Sequence, residues 1–284
     1  MPMINEARGC IDYDECGSGP TVVLVPGSCS TGAAWRPIIA ACNGKFRCVT
    51  TSLLGYGRTA ERRTESDPAI SHEAEVVESV IRRAGGAVHL IGHSFGGLVA
   101  LAVALRRQVP LVSLAIVEAP AAELLRDRGE LEHYRAFRNM TDAYFAEVAR
   151  GNAMAVAGMI DFYGGAGTFA SWPQRVRDYA VETIPVNILD WASAYGFPVS
   201  ADALAAIDLP VCVIRGGASH AAVQRANALL GDCMNGAVLA TIDGAAHFMI
   251  ATHADALARL IAEHIDAVES ERRGHAVRGA AHLS

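Results

Sequence analysis

A serine hydroxyl is a weak nucleophile, so a chain that uses one must expose it and hold a base beside it. Residues 88–100 read Val-His-Leu-Ile-Gly-His-Ser-Phe-Gly-Gly-Leu-Val-Ala. A short apolar run enters Gly92-His93-Ser94-Phe95-Gly96, and an apolar, Ala-rich segment leaves it. Strand, tight turn and helix in that order would seat Ser94 on a strained elbow with its hydroxyl presented. Gly92 and Gly96 suit a place where strand and helix pass too close for side chains and the turn takes unusual dihedrals. The start of the following helix aims backbone N–H groups at the same point, which favours a developing negative charge.

The base must come from elsewhere in the chain, which holds 10 histidines. His247, in Ile242-Asp-Gly-Ala-Ala-His247-Phe248, stands on the loop after the last expected strand, at the sheet edge toward which the elbow points. His93 adjoins Ser94 and cannot easily face it, so it is expected to pack beneath the turn. His89 alternates with buried strand positions and reads as structural. His220 follows another strand and has a weaker claim on the cleft. The histidines at 72, 133, 253, 264, 275 and 282 fall on expected helices or the tail and read as solvated.

The elements that must position these groups follow from hydrophobic periodicity. Strands are expected at 11–15, 21–25, 46–51, 87–91, 111–117, 211–215 and 237–242, and helices at 35–42, 71–84, 98–107 and 255–268. Their alternation predicts an α/β fold: a mostly parallel central sheet with helices on both faces. From 121 to 203 the rhythm breaks. Helix-like segments at 130–138, 143–157, 172–183 and 186–194 follow one another without a good strand, and the stretch is aromatic. It reads as an all-helical cap inserted after one strand and closing over the carboxyl edge of the sheet, leaving residues 1–120 and 204–268 as the core. The tail at 269–284 is polar and rich in Arg and Ala, and is expected to be disordered.

Composition narrows the function classes. The 284 residues are 51% hydrophobic and 19% charged, enough to bury a large core. A net charge of −6 without a basic stripe argues against nucleic acid as a partner. No run approaches the roughly 18 apolar residues of a membrane span, and the first residues lack the apolar region of a signal peptide. The 7 cysteines are odd in number, scattered and free of any CxxC pair, the pattern of reduced thiols in a cytoplasmic protein. Cys29 has no neighbour that would lower its thiol pKa and reads as a bystander. With no HExxH, no clustered carboxylates, no Walker lysine and no Gly-x-Gly-x-x-Gly, neither a metal nor a cofactor is expected. Charge balance leaves monomer and homodimer both open.

Sheet, elbow and cap together resemble the α/β-hydrolase superfamily over most of the chain. Four local matches carry the resemblance. Val23-Leu-Val-Pro26-Gly27-Ser28 sits where the family has a strand ending in His-Gly, with Pro26 replacing the histidine. Ser52-Leu-Leu-Gly55-Tyr56-Gly57-Arg58-Thr59 resembles the family's Asp-x-Pro-Gly-x-Gly-x-Ser turn, with Ser52 replacing the aspartate. The elbow and the His247 loop are the others, and their order along one chain is the specific signal.

The resemblance implies Ser94 as nucleophile, His247 as base and an oxyanion hole from the backbone N–H groups of Phe95 and Ser28. It places Ser219 where the acid usually stands, and a serine carries no charge to offset an imidazolium. A variation within the superfamily puts the acid at the end of the strand after the elbow helix, here Glu118. A carboxylate closing an apolar strand is costly to bury unless something like a histidine pairs with it. Asp243, Asp161 and Asp190 are weaker candidates. The implied function is hydrolysis of an ester or related acyl bond in a small apolar or aromatic substrate, with the cap as roof. The same machinery could serve as acyltransferase, thioesterase, C–C bond hydrolase, lactonase or perhydrolase, and the superfamily also holds non-catalytic small-ligand receptors. A serine at the elbow argues against branches with an aspartate nucleophile, such as haloalkane dehalogenases and epoxide hydrolases.

Overall fold

The apolar runs of this chain pair into one sheet in the computed structural model, which describes residues 3–6 and 9–281. Its strands are β1 (Met3–Glu6), β2 (Gly9–Cys16), β3 (Thr21–Val25), β4 (Arg47–Thr51), β5 (Val88–His93), β6 (Leu111–Val117), β7 (Val211–Gly216) and β8 (Val238–Ile242). Their spatial order is β1-β2-β4-β3-β5-β6-β7-β8. β2 pairs antiparallel with both β1 and β4, and every other pairing is parallel. Successive residues of a strand face opposite sides, so a strand covered on both faces is apolar throughout. In β3, Val23 and Val25 enter one core while Val22 and Leu24 enter the other. All six residues of β5 are buried, whereas β8, at the edge, is largely exposed.

The helices are α1 (Arg36–Ala41), α2 (Ser71–Ala84), α3 (Phe95–Arg106), α4 (Ala122–Asp127), α5 (Leu131–Ala149), α6 (Val156–Gly164), α7 (Thr168–Ser171), α8 (Gln174–Glu182), α9 (Ile184–Tyr195), α10 (Ala201–Ala205), α11 (Ala221–Cys233), α12 (Met249–Thr252) and α13 (Ala254–Ala281). α2, α3 and α11 supply the core on one face of the sheet, and α1, α12 and α13 supply it on the other. The chain between β6 and β7 runs through α4 to α10, knit by aromatic contacts such as Phe137 with Tyr163 and Trp191, each at 6.4 Å between ring centroids.

β4 lies on one side of β3 and β5 on the other, so the strand order reverses direction at β3. In a parallel sheet that reversal opens a crevice beyond the carboxyl ends of the strands, the usual place for a ligand.

The structure departs from the sequence expectations at several points. α13 continues to Ala281 where disorder was expected from 269. Ala and Arg are strong helix formers, and Glu269 Oε1 reaches within 3.5 Å of His89 Nε2 beneath the sheet, so the helix has reason to go on. Residues 282–284 lie outside the described residues. β1 was not anticipated because its four residues, two apolar followed by two polar, show no alternation. α11 was also passed over, although Ala222, Val223, Ala226, Leu229 and Leu230 repeat at helical spacing on its buried face. His264, expected in solvent, has its Nε2 buried without a partner, and burial pushes its pKa down to about 4.

Candidate active site

The polar side chains of interest leave the carboxyl ends of different strands. Ser28 follows β3, Ser94 follows β5, Glu118 follows β6, Ser219 follows β7 and His247 follows β8. Parallel pairing in register brings these ends together over the crevice.

Ser94 has the dihedrals of a strained elbow, φ 55° and ψ −128°. A non-glycine residue holds that conformation only where the surroundings over-determine it. Here the Ser94 N–H donates to Val117 O at 2.8 Å, and its carbonyl accepts from Gly97 N–H at 2.8 Å. A Cβ on Gly92 would stand 2.2 Å from Gly96 O, and one on Gly96 would stand 2.3 Å from Pro26 O. Both obstacles are backbone and cannot turn aside.

Three side chains then form a line. Ser94 Oγ lies 2.9 Å from His247 Nε2, and His247 Nδ1 lies 2.9 Å from Glu118 Oε2. The carboxylate can only accept, so Nδ1 carries the proton and Nε2 is free to accept from the serine hydroxyl. Glu118 is fully buried and sits at φ 50°. Its Oε1 accepts from the Gly216 N–H and the Ser219 hydroxyl, each at 2.6 Å. Burial raises the Glu118 pKa, but the bonds and charge from His247 and the donors Ser219 and Gly216 outweigh it, holding the carboxyl below its usual range. Ser219 therefore stands beside the acid as a donor.

His93 packs beneath the turn. Its Nε2–H donates to the His247 carbonyl at 2.9 Å, and burial, with the neighbouring His247, lowers its pKa to about 3. It stays neutral at ordinary pH and adds no charge against the imidazole above it.

Phe95 opens α3 directly after Ser94, so its N–H belongs to the first turn, whose donors have no intrahelical partner. The loop carrying Ser28 lies against the elbow: a Cβ on Gly27 would come within 2.8 Å of Ser94 Cβ. Ser28, Phe95, Ser94 and His247 share the wall of one cavity of about 430 Å³, counted to its open mouth. Met159, Ile160 and Tyr163 of α6 and Asn187, Asp190 and Trp191 of α9 form much of the opposite wall. The Tyr163 ring lies 4.2 Å from that of His247.

A profile of the alpha/beta hydrolase family matches residues 22–260. The chain belongs to the alpha/beta hydrolase family. Among solved structures, an esterase from Thermogutta terrifontis superposes with a TM-score of 0.74 at 19% identity, over 94% of this chain and 98% of that one. Haloalkane dehalogenase 2 of Mycobacterium tuberculosis is 33% identical over 104 residues, 36% of each chain. The pimeloyl-[acyl-carrier protein] methyl ester esterase of Aeromonas hydrophila is 31% identical over 117 residues, 41% of this chain and 44% of the relative. The chain thus matches less than half the length of these curated relatives.

This alpha/beta hydrolase uses the other expected residues differently. Asp190 does not approach His247. Its Oδ2 accepts from the Ser28 and Tyr56 hydroxyls, both at 2.6 Å, and its Oδ1 from Arg63 at 2.8 Å. Arg63, its side chain fully buried, also meets Glu61 at 2.8 Å and Glu73 at 3.1 Å. One guanidinium cannot neutralise three carboxylates, and burial, with the Asp190 charge, pushes Glu73 up to about 8. Sequence reasoning passed over Arg63, Tyr56 and Glu73, because Arg63 sits in the polar run Glu61-Arg62-Arg63-Thr64-Glu65 and looks solvated. Asp161 accepts from the backbone of Gly167 and Phe169, stitching a turn between α6 and α7. Asp243 is exposed, and His220 caps α11 while stacking on Phe162 at 4.2 Å. Where Ser52 replaces the family aspartate, Asp12 of β2 supplies the carboxylate, bonding Ser52 Oγ at 3.3 Å and Arg58 N at 2.8 Å. Cys29 is half-buried in the cavity wall, and desolvation pushes its thiol up to about 12, which disfavours the reactive thiolate. Among the described residues, no three His, Cys, Asp or Glu cluster as metal ligands, and no helix is long and apolar enough to cross a membrane.

Proposed function

We propose that this alpha/beta hydrolase is a serine esterase that cleaves a small, largely apolar ester. The observation that carries this reading is the unbroken hydrogen-bonded line Ser94–His247–Glu118, opening into a cavity walled by Met159, Ile160, Tyr163 and Trp191. Ser94 Oγ attacks the ester carbonyl as His247 Nε2 takes its proton, and Glu118 stabilises the imidazolium. The tetrahedral oxyanion is received by the N–H groups of Phe95 and Ser28. His247 then protonates the departing alkoxide, leaving an acyl-serine. Water attacks that acyl group, giving its proton to His247, and the histidine returns a proton to Ser94 as the acid leaves.

The partial match to a dehalogenase does not alter the reading, since the elbow here presents a serine hydroxyl and the ester chemistry follows from it. The test is a panel of p-nitrophenyl esters of graded chain length, run beside fluorophosphonate labelling. Release of p-nitrophenolate by the wild type, with label on Ser94 and none on Ser94→Ala, is expected. Saturable binding of the esters without turnover or labelling would show a receptor instead.

A further inference from the structure

Asn187, Asp190, Trp191 and Ala194 recur along α9 at steps of three, one and three, which sets them on one face of the helix. All four line the cavity above Ser94. The two polar residues on that face are in opposite situations. Asp190 is supplied with donors by Ser28, Tyr56 and Arg63. Asn187 is 1% exposed, and its Oδ1 is buried without a hydrogen-bond partner. An amide oxygen withdrawn from water and left unpaired is a standing cost to the free protein, and buried polar groups of this kind are uncommon. A second buried hydroxyl without a partner, that of Tyr144, lies within electrostatic range of Asp190. The cavity that Asn187 lines is walled in large part by apolar groups such as Met159, Ile160 and Trp191. The Trp191 Nε1–H is already directed to Met159 Sδ at 3.2 Å, and no side chain of the lining donates to Asn187 Oδ1.

We infer that the Asn187 carboxamide is a specificity-determining group that receives a hydroxyl carried by the substrate. The preferred ester is then an otherwise apolar molecule bearing a hydroxyl at a distance from the scissile carbonyl. A hydroxyl suits the position better than an ether or ketone oxygen because it can donate to Oδ1. A site built around an unpaired polar group discriminates strongly, since the analogue lacking the hydroxyl leaves that group unpaired in the complex as well. This inference rests on the esterase reading and deepens it.

The experiment compares matched pairs in the full-length protein: p-nitrophenyl esters of straight-chain acids with and without a hydroxyl along the chain, and acetate monoesters of diols beside acetates of the corresponding simple alcohols. The wild type should prefer at least one hydroxylated member by roughly tenfold to a hundredfold in kcat/KM. In Asn187→Leu, shown by its thermal melt to be folded, that ratio should collapse toward one. A wild type that treats every pair alike overturns the inference, as does a preference that survives Asn187→Leu. The wild-type comparison stands without the variant should Asn187→Leu not fold. If no ester is cleaved and Ser94 takes no fluorophosphonate, the esterase reading fails and takes this inference with it. Turnover with no preference sinks the inference alone.

Discussion

Ser94, His247 and Glu118 form a chain in which each member is useful only through the next. Ser94→Ala and His247→Ala should each lower kcat on a p-nitrophenyl ester by on the order of 10⁴-fold or more while the melting temperature stays near that of the wild type. Glu118→Gln should lower it by about 10³ to 10⁴-fold, because the amide supports the wrong imidazole tautomer, whereas Asp243→Asn should leave it unchanged. The charged form of Glu118 also steadies the fold. Its native pKa lies below the ordinary value of 4.5, so this stabilisation is present above that pH and is lost as pH falls through the lower native value. The gap in melting temperature between wild type and Glu118→Gln should therefore be widest near neutrality and shrink below about pH 4; a gap independent of pH would show that the carboxylate charge contributes nothing to stability. Ser219 Oγ lies 2.6 Å from Glu118 Oε1, so the two loop ends deliver side chains to nearly the same point. Moving the carboxylate across, as Glu118→Ala with Ser219→Asp, should recover at least tenfold of the activity lost in Glu118→Ala, read by kcat.

At the scale of elements, the site depends on two close approaches. α3 meets the end of β3 so tightly that Gly96→Ala must push its Cβ against Pro26 O, which also displaces the loop bearing Ser28. The expected loss is about 3 kcal/mol of stability, seen as a lowered denaturation midpoint, with activity falling further than stability alone requires. The second approach is α9 over the β3 loop, made through Asp190. Asp190→Asn keeps the shape but weakens the hold on Ser28, Tyr56 and Arg63 and leaves Arg63 short of one buried carboxylate. A loss of about 1–3 kcal/mol is expected, with a fall in kcat larger than any rise in KM, because in the proposed mechanism the Ser28 amide acts on the oxyanion that forms only during reaction. An unaltered kcat would detach Asp190 from the positioning of that loop.

Across the whole molecule, buried titratable groups set how stability responds to pH. His93 and His264 have native pKa values near 3 and 4 against about 6.5 unfolded, so the unfolded chain takes up protons first on acidification. Stability should decline as pH falls from about 6.5 toward 4, and His264→Gln should flatten part of that decline in a series of thermal melts. Glu73 works in the other direction. Its native pKa is raised to about 8, so the stabilisation it gives is complete below pH 4.5 and is lost as pH rises through 8. Glu73→Gln should lessen the loss of melting temperature between pH 6 and 9.

The apolar runs at β3, β5, β6 and β7 and the two glycines of the elbow were legible in the chain because they obey local rules: strand length, periodicity, and room for backbone to pass backbone. Glu118 was singled out by the family resemblance, which allows an acid at the end of that strand, together with the cost of burying a carboxylate there without a partner. Local rules could not say that Asp190 would hold Ser28, that Arg63 would be buried among three carboxylates, or that Asn187 would lack a partner. Those residues look like ordinary polar surface in a list of letters. Their roles depend on which distant side chain arrives within 3 Å, and only the packing of the α4–α10 helices onto the sheet decides that.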